Sequence, residues 1–200
     1  MAAAYAQATG NSLDRSRELW QAGTTAVAQS RGMFVYLGGQ SWAQSRDAIR
    51  AKIVAHEAFH LLQGELAGPA ALNSGPSDVP VAGPRWLTEG AAEYIAYRVL
   101  AENRLEDFDA IRRRWISVTR SVTAPLSSLE IATGFGGVAG IYDLTPLAAS
   151  RLIETAGEGA FVAYWEAIGR GTPWQSAFAA AFGRSLEAFY GEFDAYRRGL

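Results

Sequence analysis

The sequence predicts an α+β fold that is mainly α, with a small N-terminal sheet, two long helices and a C-terminal helical bundle. Three observations lead there. Met33-Phe34-Val35-Tyr36-Leu37 is a β-prone run closed by Gly38-Gly39. From Ser45 to Leu66, residues Ala48, Ile49, Ile53, His56, Phe59, His60 and Leu66 recur near one helical face. Beyond Tyr142 the chain reads as helices separated by glycine and proline.

Taken in order, Asn11 to Ser30 reads as a helix with Asn11 or Ser12 as its cap and Leu13, Leu19, Trp20 and Val27 as apolar anchors. The strand and the Ser45–Leu66 helix follow. Gly68 to Gly83, rich in Gly, Pro, Ser and Ala, is the clearest loop. Pro84 stands where a helix can begin, and Trp86 to Asn103 is the second long helix. Phe108 to Thr119 is a third. Ser121 to Gly140 is irregular, with Pro125 and the group Gly134, Gly136, Gly137 and Gly140. The helices from Tyr142 to Arg198 break at Gly157, at Gly169 to Pro173 and at Gly183, and Ser185 caps the last one. The length suits one domain over 1–200, made of an N-terminal helical segment (1–30), a core (31–120) and a helical C-terminal part (121–200).

Hydrophobic residues make up 49% of the chain, with 6 Trp, 8 Tyr and 9 Phe, which is ample for a packed core and argues against disorder. A net charge of −2 gives no reason to expect nucleic acid. Arg112-Arg113-Arg114 is either an anion patch or, as we favour, a solvated helix face beside Glu106, Asp107 and Asp109. The chain has no cysteine, which excludes disulfides, thiolate metal sites and thiol catalysis. Lys52 is the only lysine among 18 basic residues and reads as compositional bias. No segment approaches the length of a transmembrane helix, and Met1 to Gly10 lacks the pattern of a signal peptide. The compartment stays open between cytoplasm and the soluble part of a secreted or envelope protein without its leader. The oligomeric state is not set by the sequence.

Both histidines of the chain fall in His56-Glu57-Ala58-Phe59-His60. This is H-E-x-x-H, the zinc-hydrolase signature. Four positions is just over one helical turn, so both imidazoles leave the same face of a helix and can share one ion. Glu57, beside the first ligand, is placed to take a proton from an attacking water. A catalytic zinc site uses three protein ligands. With no third histidine and no cysteine, the third ligand must be a carboxylate. The best candidate is Glu89, in Trp86-Leu87-Thr88-Glu89-Gly90-Ala91-Ala92-Glu93-Tyr94. Gly90 would leave space beside it for metal and substrate. Glu93, one turn on, would accept a hydrogen bond from a ligand histidine and set its tautomer. Taken alone, either glutamate is an ordinary solvated residue of a helix.

The pair of stretches His56–His60 and Trp86–Tyr94 resembles the gluzincin metallopeptidases, closest to the peptidase MA-like group and related in its core to the zinc aminopeptidases and to thermolysin. The likeness extends through Pro125-Leu126-Ser127-Ser128-Leu129, Tyr142 and Phe182-Gly183-Arg184-Ser185-Leu186-Glu187, so it spans roughly residues 33 to 198. The resemblance implies a zincin-like catalytic domain holding Zn2+ on His56, His60 and Glu89, with Glu57 as general base. It also implies a catalytic tyrosine at Tyr142 that donates to the oxyanion, with Tyr94, Tyr97 and Arg151 as substitutes. The G-x-M-E-N stretch with which the aminopeptidases hold a free amine does not occur here. Only a small sheet fits before His56, which leaves Met33 to Leu37 as an edge along which an extended peptide would pair.

The function expected from these residues is zinc-dependent hydrolysis of peptide bonds, on a peptide or protein substrate. The alternative is a structural or partner-binding zinc module without turnover. An intact Glu57 argues against that alternative, because a structural site needs no base.

Overall fold

In the computed structural model, residues 7, 12, 14, 16, 26–29, 32–35, 40–68, 82–131 and 138–200 are described. Two strands, β1 (Ala26–Gln29) and β2 (Gly32–Val35), precede a short helix α1 (Gln40–Gln44) and the long helix α2 (Asp47–Ala67). Then come α3 (Arg85–Glu102), α4 (Phe108–Thr119) and a 3-10 turn over Leu126–Leu129. The chain ends in α5 (Ile141–Ala156), α6 (Gly159–Gly169), α7 (Trp174–Phe182) and α8 (Leu186–Arg198).

Helix α3 is the axis of the molecule. It packs against α2, α4 and α5, and it is buried on most of its circumference. A helix enclosed in this way needs small residues where a neighbour comes close. Gly90, Ala91, Ala92 and Ala96 meet that need. A Cβ on Gly90 would lie 2.4 Å from the carbonyl oxygen of Thr145 on α5. Gly90 therefore serves the α3–α5 contact. The expectation that it opens space for metal and substrate is corrected: the space it leaves is filled by Thr145. Gly90→Ala should lower stability by about 1–3 kcal/mol through overpacking, beyond the roughly 0.5–1 kcal/mol that alanine gains in a helix. A urea midpoint equal to or above that of the wild type would refute the close contact.

Among the described residues the small N-terminal sheet expected from the sequence shrinks to a two-stranded ribbon, and the expected α+β zincin-like fold is corrected to a nearly all-helical one. Among the described residues the only strands are β1 and β2, four residues each. They pair antiparallel from Ala26 opposite Val35 to Gln29 opposite Gly32 and lean on α2. Such a ribbon is marginal by itself and is not a layer of structure; the fold is nearly all helical. The reason is that one β-prone run cannot make a sheet, and among the described residues its partner comes from the weakly β-prone Ala26-Val27-Ala28-Gln29. That segment was expected to close the Asn11–Ser30 helix. Pairing to β2 overrides its local preference. A helical turn does occur at Ser16, whose N–H donates to the carbonyl of Ser12 at 3.0 Å. Residues 69–81 of the expected loop, and Gly134, Gly136 and Gly137, lie outside the described residues.

The helical part agrees closely with the expectation. Phe108–Thr119 has the expected bounds, and Asp107 caps it by accepting from the N–H groups of Asp109 and Ala110. Ser185 caps α8 by accepting from Ala188 N–H at 3.2 Å. Aromatic rings of α6, α7 and α8, namely Phe161, Tyr164, Trp165, Phe178, Phe182 and Phe189, form a continuous cluster. Trp86, in the first turn of α3, joins it by stacking on Phe189 with centroids 5.5 Å apart. Its indole N–H donates to Tyr190 Oη, which donates to Glu130 at 2.7 Å. The Glu130 carbonyl accepts the Arg85 N–H at 2.8 Å. The start of α3 is thereby tied at two points. No helix among the described residues is long and apolar enough to cross a membrane.

Candidate metal centre

Helix α2 delivers both histidines to the side facing α3, where each is buried. Their rings meet edge to face, with centroids 4.7 Å apart, and the two Nε2 atoms are 3.1 Å apart. Glu89, from the second turn of α3, places Oε2 at 3.4 Å from His56 Nε2 and 3.5 Å from His60 Nε2. These three atoms form a nearly equilateral triangle. A tetrahedral Zn2+ with bonds of about 2.0–2.1 Å requires donor atoms roughly 3.3–3.4 Å apart. The triangle has that size. Among the described residues, the buried group able to hold a metal ion consists of these three side chains.

The outer atom of each of the three is also held. His56 Nδ1 lies 2.9 Å from Glu93 Oε2. Lys52 Nζ donates to both oxygens of Glu93, at 2.9 and 3.0 Å. His60 Nδ1 lies 2.6 Å from Gln63 Oε1, and the Gln63 amide donates to the Thr88 carbonyl at 3.0 Å. Arg85 Nη2 pairs with Glu89 Oε1 at 2.9 Å, which leaves Oε2 turned toward the histidines. With Nδ1 of each ring engaged outward, both Nε2 atoms face a common centre.

The charges reinforce one another. Burial opposes a charge on His56, but hydrogen bonds to Glu89 and Glu93 outweigh it and push its pKa up to about 9. Burial likewise opposes the Glu89 carboxylate, yet the charge of His60 and hydrogen bonds to both histidines hold it well below the usual carboxylate range. Glu93 is lowered against its own burial by the hydrogen bond to His56 and the charge of Lys52. An ionised carboxylate thus faces two imidazoles, an arrangement suited to a cation.

No family model, curated protein or solved structure matches the chain.

Glu57 is half-buried on α2 and stays outside the triangle of His56, His60 and Glu89. Tyr142, in the first turn of α5, is half-exposed. Its hydroxyl pKa is pushed up to about 12, by partial burial and then by the negative charge of Glu89, with Glu93 and Glu57 adding to it. The three substitutes for Tyr142 are engaged elsewhere. Tyr94 donates to Glu158, Tyr97 accepts from Arg114, and Arg151 pairs with Glu154 and covers the ring of Tyr196. Lys52, Gln63 and Arg85 were not anticipated. Each lies three or four residues from a histidine or glutamate of the centre, so helical spacing alone carried a signal for all three. Reading the lone lysine as compositional bias missed its contact with Glu93.

Proposed function

We propose that the chain is a zinc-dependent peptidase with a gluzincin-type centre, hydrolysing peptide bonds with Glu57 as general base. The observation that carries the reading is the triangle of His56 Nε2, His60 Nε2 and Glu89 Oε2, matched in size to a tetrahedral zinc ion and held from outside by Glu93, Gln63 and Arg85. Bound zinc would supply Lewis acidity, polarising a scissile carbonyl and making water nucleophilic at neutral pH.

The residues of the chain would do the rest. Glu57, next to a ligand but not itself one, accepts the proton of the attacking water and passes it to the leaving amine. Tyr142 stays protonated at neutral pH and donates its O–H to the oxyanion that develops on the carbonyl oxygen. Arg85 keeps Glu89 turned so that one oxygen faces the histidines. A structural zinc site would be expected to complete four protein ligands. The group here has three among the described residues, which favours turnover over a structural role.

The test is metal removal. Protein stripped by a strong chelator should lose hydrolysis of a quenched-peptide panel, and one equivalent of Zn2+ should restore it. Hydrolysis that survives stripping would exclude the mechanism. Stoichiometric zinc uptake with no turnover on peptides, amides or esters would favour the structural module.

A further inference from the structure

We propose that Lys52 is a positioning residue of the metal centre, acting on His56 through Glu93. The inference rests on the metal-centre reading above. Lys52 stands one turn before His56 on α2, so both face α3. Its ammonium lies 2.9 and 3.0 Å from the two oxygens of Glu93. Glu93 Oε2 is also 2.9 Å from His56 Nδ1. An ammonium, a carboxylate and an imidazole thus form a line that ends at the Nε2 atom facing Glu89 and His60.

This geometry gives Lys52 two effects. The first is orientation. With one oxygen bonded to Lys52 alone and the other shared between Lys52 and His56, the Glu93 carboxylate cannot turn without breaking a charge-assisted bond. The second is electrostatic. Glu93 is 2% exposed, and so deeply buried a carboxylate is costly without a paired cation. The Lys52 ammonium, close to both oxygens, is the paired cation that offsets this cost and keeps the carboxylate seated against His56 Nδ1.

The type of side chain fits the task. This is the only lysine among 18 basic residues. An ammonium is a compact point charge that can reach both oxygens from one side, whereas the planar fork of arginine would compete with the imidazole for Oε2. Among the contacts of Glu93, Lys52 supplies the formal charge and His56 links to the centre.

The experiment is a double-mutant cycle read as zinc affinity, by competition with a chromophoric chelator. The proteins are the wild type, Lys52→Met, Lys52→Arg, Glu93→Gln and the Lys52→Met/Glu93→Gln pair. The melting temperature of each metal-free protein is measured alongside. Lys52→Met should weaken zinc binding by about 10- to 100-fold, the range found for groups that orient a ligand. Lys52→Arg should recover part of that loss. In the Glu93→Gln background, Lys52→Met should change the zinc Kd by less than about 3-fold, since the path through Glu93 is already cut. A residue that only stabilises the fold would lower the metal-free melting temperature and leave the zinc Kd unchanged. If Lys52→Met does not fold, Lys52→Gln, which keeps a donor without the charge, takes its place in the cycle. An unchanged zinc Kd in the neutral variant, or an equal loss in both backgrounds, overturns the inference and leaves the centre standing. A wild type that takes up no zinc overturns the centre itself, and this inference with it.

Discussion

Glu57→Gln is expected to take up zinc as the wild type does and to lose turnover by about 10²- to 10⁴-fold, the usual contribution of a positioned acid–base group. Glutamine has the same size and cannot accept a proton. Glu57 is not among the three side chains of the triangle, so the outline of the centre should survive. The loss should fall on kcat, with KM little changed, because the group acts on the proton in flight and not on the bound substrate. Metal content and kcat/KM on a quenched-peptide panel are the two measurements. Full activity with zinc bound would remove Glu57 from the mechanism. Loss of zinc together with activity would make Glu57 part of the metal site.

Trp86→Ala should cost roughly 3–5 kcal/mol of stability, the range for emptying a buried aromatic position. Trp86 is 0% exposed. Three contributions add. The indole leaves a cavity beside Phe189, the stacked pair is lost, and Tyr190 loses its donor from Trp86. The damage should reach the site, because Arg85 adjoins Trp86 in the first turn of α3 and pairs with Glu89 one turn on. Denaturant unfolding of the metal-free protein reads the first effect, and the zinc Kd reads the second. Trp86→Phe keeps a ring in the stack without the N–H, so it should cost less. A loss below about 1 kcal/mol for Trp86→Ala would mean that α3 is not anchored through this residue.

The local order of the chain was legible because helical signals are local. Asp107 and Ser185 at helix starts, Gly157 and Gly183 at breaks, and the apolar period from Ala48 to Leu66 all act within a few residues. The N-terminal region was misread because strand pairing is not local. Ala26-Val27-Ala28-Gln29 becomes a strand only because Gly32–Val35 lies opposite, and the pair gains no further strand among the described residues. The role of Gly90 was misread for a similar reason. A missing Cβ shows that something comes close, and only the packing of α5 shows that it is Thr145.

The chemistry open to this protein is carried by a few residues of its sequence. Two histidines one turn apart, with no third and no cysteine, require a carboxylate to complete a metal site, and the spacing puts Glu57 beside the first ligand. The sequence already nominated Glu89 for that place; the packing of the helices brings its carboxylate within 3.5 Å of both histidines and supplies the contacts that hold it. The crossing of α2 and α3 sets the triangle of 3.1, 3.4 and 3.5 Å, and it brings Lys52 to Glu93 and the Gln63 amide to the Thr88 carbonyl. The division has a physical cause. Side-chain chemistry and helical period are properties of short stretches of chain. The separation of donor atoms on two helices is set by how closely those helices pack, which no short stretch encodes.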